Sequence, residues 1–210
     1  MGYHESSKLG MAAKNTVFLL LALFGAFMFT TTPADAHRFN VALVVPLSNA
    51  ASAEGRQVRD GFMLATTERD SHPDEESDGH LGGLDIYVTV IDEQGDITAD
   101  IERIGKQGKI DIVVAFGSHE TRTMIAKVLD GKKIALLTPA RSPFAKSGTP
   151  AVAAFVSAYK KAHGSLPSAH AAQGYNAARR IDVAVRAQGS ADDKTALRKS
   201  FGETAHGFNW

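Results

Sequence analysis

Asn40-Val-Ala-Leu-Val-Val-Pro46 decides the fold. Its aliphatic residues run without a break until a proline removes the next backbone donor. That is the pattern of a strand buried on both faces and stopped at its carboxyl end. Three stretches repeat it: Leu84-Asp-Ile-Tyr-Val-Thr-Val-Ile91, Ile110-Asp-Ile-Val-Val-Ala-Phe116 and Lys133-Ile-Ala-Leu-Leu-Thr138, the last again followed by a proline, Pro139. Between them the apolar residues fall at helical spacing. Val58, Phe62, Met63 and Ala65 share a face between Glu54 and Arg69, as do Ile101 and Ile104 between Thr98 and Gln107. Met124, Ile125 and Val128 do the same between Thr121 and Leu129. Strands that alternate with helices and are apolar on both faces predict an α/β fold, a three-layer doubly wound parallel sheet. Residues 71–83, rich in turn formers and acids, read as a loop.

Beyond a linker at Ala145–Pro150 the pattern turns wholly helical. One helix covers 151–163 and is closed by Gly164 and Pro167; a second covers 168–187 with Ala172, Tyr175, Ala178, Ile181 and Val185 as its apolar stripe. Ser190-Ala-Asp-Asp193 resembles a capping box opening a short third helix. Such helices draw their stability from tertiary packing. The sheet is the surface on offer, so Phe155, Tyr159, Tyr175, Ile181 and Val185 are expected to pack on it.

At the other end, Lys8 and Lys14 precede an apolar run from Thr16 to Phe29, followed by Ala34-Asp-Ala36. The run is too short for a hydrocarbon core of ~30 Å, and the pattern is that of a cleavable secretory leader. The expected organisation is a leader at 1–36, cleaved after Ala36, and one exported domain at 37–210. Within that domain, 37–144 form the sheet and its helices, 145–150 the linker and 151–210 the returning helices.

Composition narrows the function. The chain carries 23 basic and 23 acidic residues, without the basic excess that nucleic-acid binding needs. With no cysteine, disulfides, thiol catalysis and Cys-type zinc sites are excluded. There is no nucleophile–base motif and no P-loop, and the glycines at 79–83 precede a strand instead of following one. His72, Asp74, Glu75, Glu76, Asp78 and His80 lack a metal-binding register and read as a solvated acidic loop. Asp92, Glu93 and Asp96 have no partner base and read as a strand-end turn. No enzyme activity, cofactor or metal is expected.

In an open parallel sheet, ligands sit outside the carboxyl ends of the strands where the winding reverses. If the first and third strands are neighbours, that crevice is framed by Pro46-Leu-Ser-Asn49, Phe116-Gly-Ser-His119 and Pro139-Ala-Arg-Ser142. Ser48, Ser118 and Ser142 offer short donors there. Ser118 also precedes a helix, whose free amides and dipole favour an anion such as a carboxylate.

Several of these stretches together resemble type I periplasmic binding proteins, the branch that serves branched-chain amino-acid ABC importers. The segments are Val44-Val-Pro-Leu-Ser48, Glu54-Gly-Arg-Gln-Val-Arg-Asp-Gly-Phe62, Val90-Ile-Asp-Glu-Gln-Gly-Asp96, Ile112 to Ser118 and Leu136-Leu-Thr-Pro-Ala140. Phe155 to Pro167 and Gly174-Tyr-Asn-Ala-Ala178 look like the family's C-terminal helices. The resemblance implies a small-molecule solute, an amino acid or similar, bound at Ser118 or His119 and at Ala140 and Ser142, and an ABC permease as partner. It also implies a departure. Family members place a second lobe after the fourth strand, yet only about ten residues separate Pro139 from Pro150 here, so one lobe is expected. The competing expectation is a docking module: the face left uncovered, with Phe116, Leu47 and Phe144, would hold a partner protein or a second copy.

Overall fold

The computed structural model describes residues 38–68, 76–107, 109–140 and 148–207. The leader assigned to 1–36 lies outside these residues, as do Ser142, Phe144, His72, Asp74 and Glu75.

Five strands form one sheet: β1 (Arg38–Val45), β2 (His80–Leu81), β3 (Leu84–Asp92), β4 (Ile112–Ala115) and β5 (Ala135–Leu137), in the order β2-β3-β1-β4-β5. All pairings are parallel except β2 with β3. β1 is central, with Val41 opposite Val88 of β3 on one side and Ile112 of β4 on the other. The first and third of the long strands are therefore neighbours, as the crevice argument requires. β2 lies in the stretch read as a loop. It is an edge hairpin whose turn is made by Gly82 and Gly83, both at positive φ, and two strand residues carry no periodicity to detect.

Six helices complete the described residues: α1 (Ser52–Thr67), α2 (Ile97–Gln107), α3 (His119–Val128), α4 (Pro150–His163), α5 (Ala169–Gln188) and α6 (Lys194–Glu203). Side chains cap four of them: Ser118, Thr149, Ser168 and Asp193 each accept backbone N–H groups of the first turn. At α6 the expected capping box gives way to a later start. Asp193 accepts from Thr195 and Ala196, both at 3.0 Å, while Ser190 receives only the Asp192 amide at 3.3 Å in the preceding turn.

Strand alternation sorts the core. Phe39, Val41, Leu43 and Val45 point to α1, α5 and α6, whereas Ala42 and Val44 point to α2 and α3. α1 and α5 lie close enough to touch backbone to backbone. A Cβ on Gly61 would fall 1.9 Å from the Ala171 carbonyl oxygen, and one on Gly174 would fall 1.9 Å from that of Val58.

This crossing changes where the returning helices pack. Ile181 and Val185 of α5 reach the sheet core as expected. Phe155 and Tyr159 of α4 do not; they form a satellite cluster with Ala171 and Ala172. Tyr175 bridges the two, its ring 4.7 Å from that of Phe155. The reason is steric: α1 and α5 already fill that face of the sheet, so α4 packs on the helices.

The amino end of the sheet is closed by charge. Asp111, 1% exposed, accepts from the Asn40 amide at 3.0 Å and from Lys194 Nζ of α6 at 2.6 Å, with Lys109 Nζ at 3.2 Å.

Candidate ligand-binding cleft

The carboxyl ends of β1, β4 and β5 open into a cleft of about 650 Å³. Its floor comes from the strand tips: Pro46 after β1, Phe116 and Gly117 after β4, Thr138 to Ala140 after β5. Glu54, Gly55 and Val58 of α1 form one wall, with His170 and Gln173 of α5 beside them; Glu93 and Arg122 stand across. Gly55 lets α1 begin against the strand tip, since a Cβ there would lie 1.7 Å from the Pro46 carbonyl oxygen.

Two adjacent acids at the end of β3 and just beyond it shape the rim. Asp92 accepts from the Leu47 amide at 2.9 Å, the Gln94 amide at 3.3 Å and the Ser48 hydroxyl. The Ser48 hydroxyl above all, with these amides, holds the Asp92 carboxyl below the usual aspartate range. Glu93 reaches the next loop: its Oε1 accepts from the Ser118 amide at 2.9 Å and the Thr121 hydroxyl at 2.6 Å. Its carboxylate lies over Gly117, which has φ +107° and whose Cβ, if present, would meet Glu93 at 2.5 Å. Ser118 Oγ meanwhile receives the Thr121 amide at 3.1 Å, and Arg122 donates to the Gly117 carbonyl. Opposite, His170 Nε2 lies 3.5 Å from Glu54 Oε2.

Beneath the floor sits Arg180 of α5, 2% exposed. It donates to the Thr138 and Phe201 carbonyls, both at 2.7 Å, and to the Thr204 hydroxyl at 3.1 Å, fixing the end of β5. Burial lowers its pKa to about 10.

Of the residues singled out in the sequence, Ser118 and Ala140 line the cleft. Ser48 sits beside it with its hydroxyl on Asp92, His119 is exposed on the first turn of α3, and Ser142 lies outside the described residues. Glu54, Glu93, Arg122, His170 and Gln173 were not singled out for ligand binding. Glu93 left a trace as an acid at a strand end, but the pattern does not tell which way such an acid points. Of the apolar face expected to lie uncovered, Phe116 is instead buried at 3% exposed and Leu47 is partly buried against the main core, while Phe144 lies outside the described residues. Among the described residues no group of three metal-capable side chains occurs, and no helix is long and apolar enough to cross a membrane. Asp78 and His80, from the acidic stretch, are tied into the hairpin through the Val88 amide at 2.7 Å and Asp85 at 2.7 Å.

Solved structures share this architecture. Leucine binding protein LivK from Thermotoga maritima MSB8 superposes with a TM-score of 0.64 at 13% identity, covering 81% of this chain and 90% of that one. This is the fold of the type I periplasmic binding proteins. The branched-chain amino acid transporter substrate binding protein LivJ from Streptococcus pneumoniae, solved with isoleucine, shares that fold at TM-score 0.55, 11% identity, 81% of this chain and 90% of that one. A solute binding protein of an R. palustris ABC transporter, solved with benzoate, gives 0.54 at 11% identity, over 78% of this chain and 85% of that one. No family model and no curated protein matches the sequence. The described residues correspond to one periplasmic-binding-protein lobe, a mostly parallel sheet with helices on both faces.

Proposed function

We propose that the chain is an exported solute-binding component of an ABC importer, sent across the membrane by a leader at 1–36, and that it binds a small polar solute of the amino-acid class in the cleft above β1, β4 and β5. The supporting observation is the cleft itself, about 650 Å³ at the carboxyl edge of a parallel sheet, with Ser118, Glu93, Arg122 and His170 around an apolar floor. The likeness to LivK and LivJ bears on the fold, and the solute class is carried over from it as part of this proposal. Of the residues named for the docking alternative, Phe116 is buried and lines the cleft floor, which favours the solute reading.

Titration calorimetry against branched-chain and polar amino acids, and their amine and acid counterparts, tests this. One-to-one binding is expected, with a Kd weaker than about 1 μM, because a single lobe encloses less of its ligand than a closing pair. Gln173→Trp, which fills the cleft from α5, should abolish it while leaving the helical circular dichroism unchanged. Binding that ignores Gln173→Trp, or none to any solute, overturns the proposal.

A further inference from the structure

We propose that the cleft takes a small primary amine in preference to a carboxylate, because Glu93 of the chain itself occupies the anion-receiving end of the cleft. This deepens the solute-binding reading and rests on it. The start of α3 is where an incoming carboxylate would find a backbone N–H, a hydroxyl and the positive end of a helix dipole. In this chain the Ser118 amide and the Thr121 hydroxyl both donate to Glu93 Oε1, at 2.9 and 2.6 Å. The Ser118 hydroxyl, for its part, receives the Thr121 amide at 3.1 Å. The bed is shaped for Glu93: at Gly117 any side chain would meet the Glu93 carboxylate at 2.5 Å.

A second carboxylate placed here would have to displace Glu93 or stand beside it, and like charges at such range oppose one another. An ammonium group complements it, donating charge-assisted hydrogen bonds to the carboxylate. The other charged groups around the cleft fit this assignment. Arg122 is drawn to its own loop through the Gly117 carbonyl, and His170 stands 3.5 Å from Glu54. Val58, Phe116 and Ala140 provide an apolar surface for a short aliphatic body. What the cleft selects in such a solute is thus an ammonium group on a short aliphatic body.

Three probes with a common branched body test the assignment by calorimetry at pH 7 and low salt. They are 3-methylbutylamine (ammonium alone), leucine (both charges) and 4-methylpentanoate (carboxylate alone). The expected order of affinity is amine, then leucine, then acid, with about tenfold or more between the ends. Glu93→Gln should collapse that ratio to about one. If leucine or 4-methylpentanoate binds the unaltered protein as tightly as the amine, the inference falls while the solute-binding reading stands. An unchanged ratio in folded Glu93→Gln also overturns it. Silence from all three probes and from the amino-acid panel overturns both. Should Glu93→Gln fail to fold, the order of the three probes on the unaltered protein decides alone.

Discussion

At the amino end of the sheet, Asp111 is 1% exposed and held by the Asn40 amide and by Lys194 and Lys109. At the carboxyl end, Asp92 and Glu93 are half-buried, and their partners are mostly loop amides and hydroxyls: Leu47, Ser48, Ser118 and Thr121. The two ends use acids for opposite purposes. Below, acid and base meet and seal the sheet against α6. Above, the acids tie the segments after β1 and β4 to the end of β3, beside the open cleft. A substitution at the amino end should therefore change stability without touching ligand choice, and one at the carboxyl end should reach both.

The largest effect is expected at the closed end. Lys194→Met leaves Asp111 buried with the Asn40 amide and the exposed Lys109 as partners. Removing one member of a buried pair destabilises by about 3 kcal/mol. Denaturant unfolding should show that loss while the amine-to-acid affinity ratio is unchanged; a changed ratio would break the division between the two ends.

Gly117→Ala comes next. It forces a side chain to φ +107° and pushes the Glu93 carboxylate off its bed. A loss of about 2 kcal/mol is expected, and the amine preference should shrink with it. A thermal melt paired with the three-probe titration reads both at once.

The smallest effect belongs to Ser48→Ala, which removes a solvent-exposed hydrogen bond to Asp92. About 0.5 kcal/mol is expected at pH 7. Because this hydroxyl lowers the folded pKa of Asp92, its contribution is fully present above the ordinary aspartate value of 3.8 and is lost as pH falls through the lower folded value. The gap in melting temperature between Ser48→Ala and the unaltered protein should therefore narrow below pH 3.8. A gap independent of pH would assign the serine a role unrelated to Asp92.

The long strands and helices were legible because each carries its own period. Asn40–Pro46 and Ile110–Phe116 announced two central strands, and Gly55, Gly61 and Gly174 stood in recognisable stretches before the structure showed what each makes room for. What was not legible is partnership. Lys194 lies 83 residues from Asp111, and Glu93 lies 25 from Ser118. No local pattern joins such pairs. The same limit explains α4: its stripe of Phe155 and Tyr159 says that a face is buried, not whether sheet or helix covers it. In the cleft, Ser118 is legible through its place before a helix, whereas the side chain lying over the Gly117–Ser118 turn, Glu93, follows a different strand.

The strand order has a consequence for how the chain is made. β1 comes off the ribosome before every other strand, yet it ends in the middle of the sheet with β3 on one side and β4 on the other. It must wait for both, and pairings between residues so far apart in the chain form slowly. During that wait the most apolar segment of the domain, Val41 to Val45, has no lasting partner and is open to chaperones. The strand order thus delays the setting of the core until β3 and β4 have both been made.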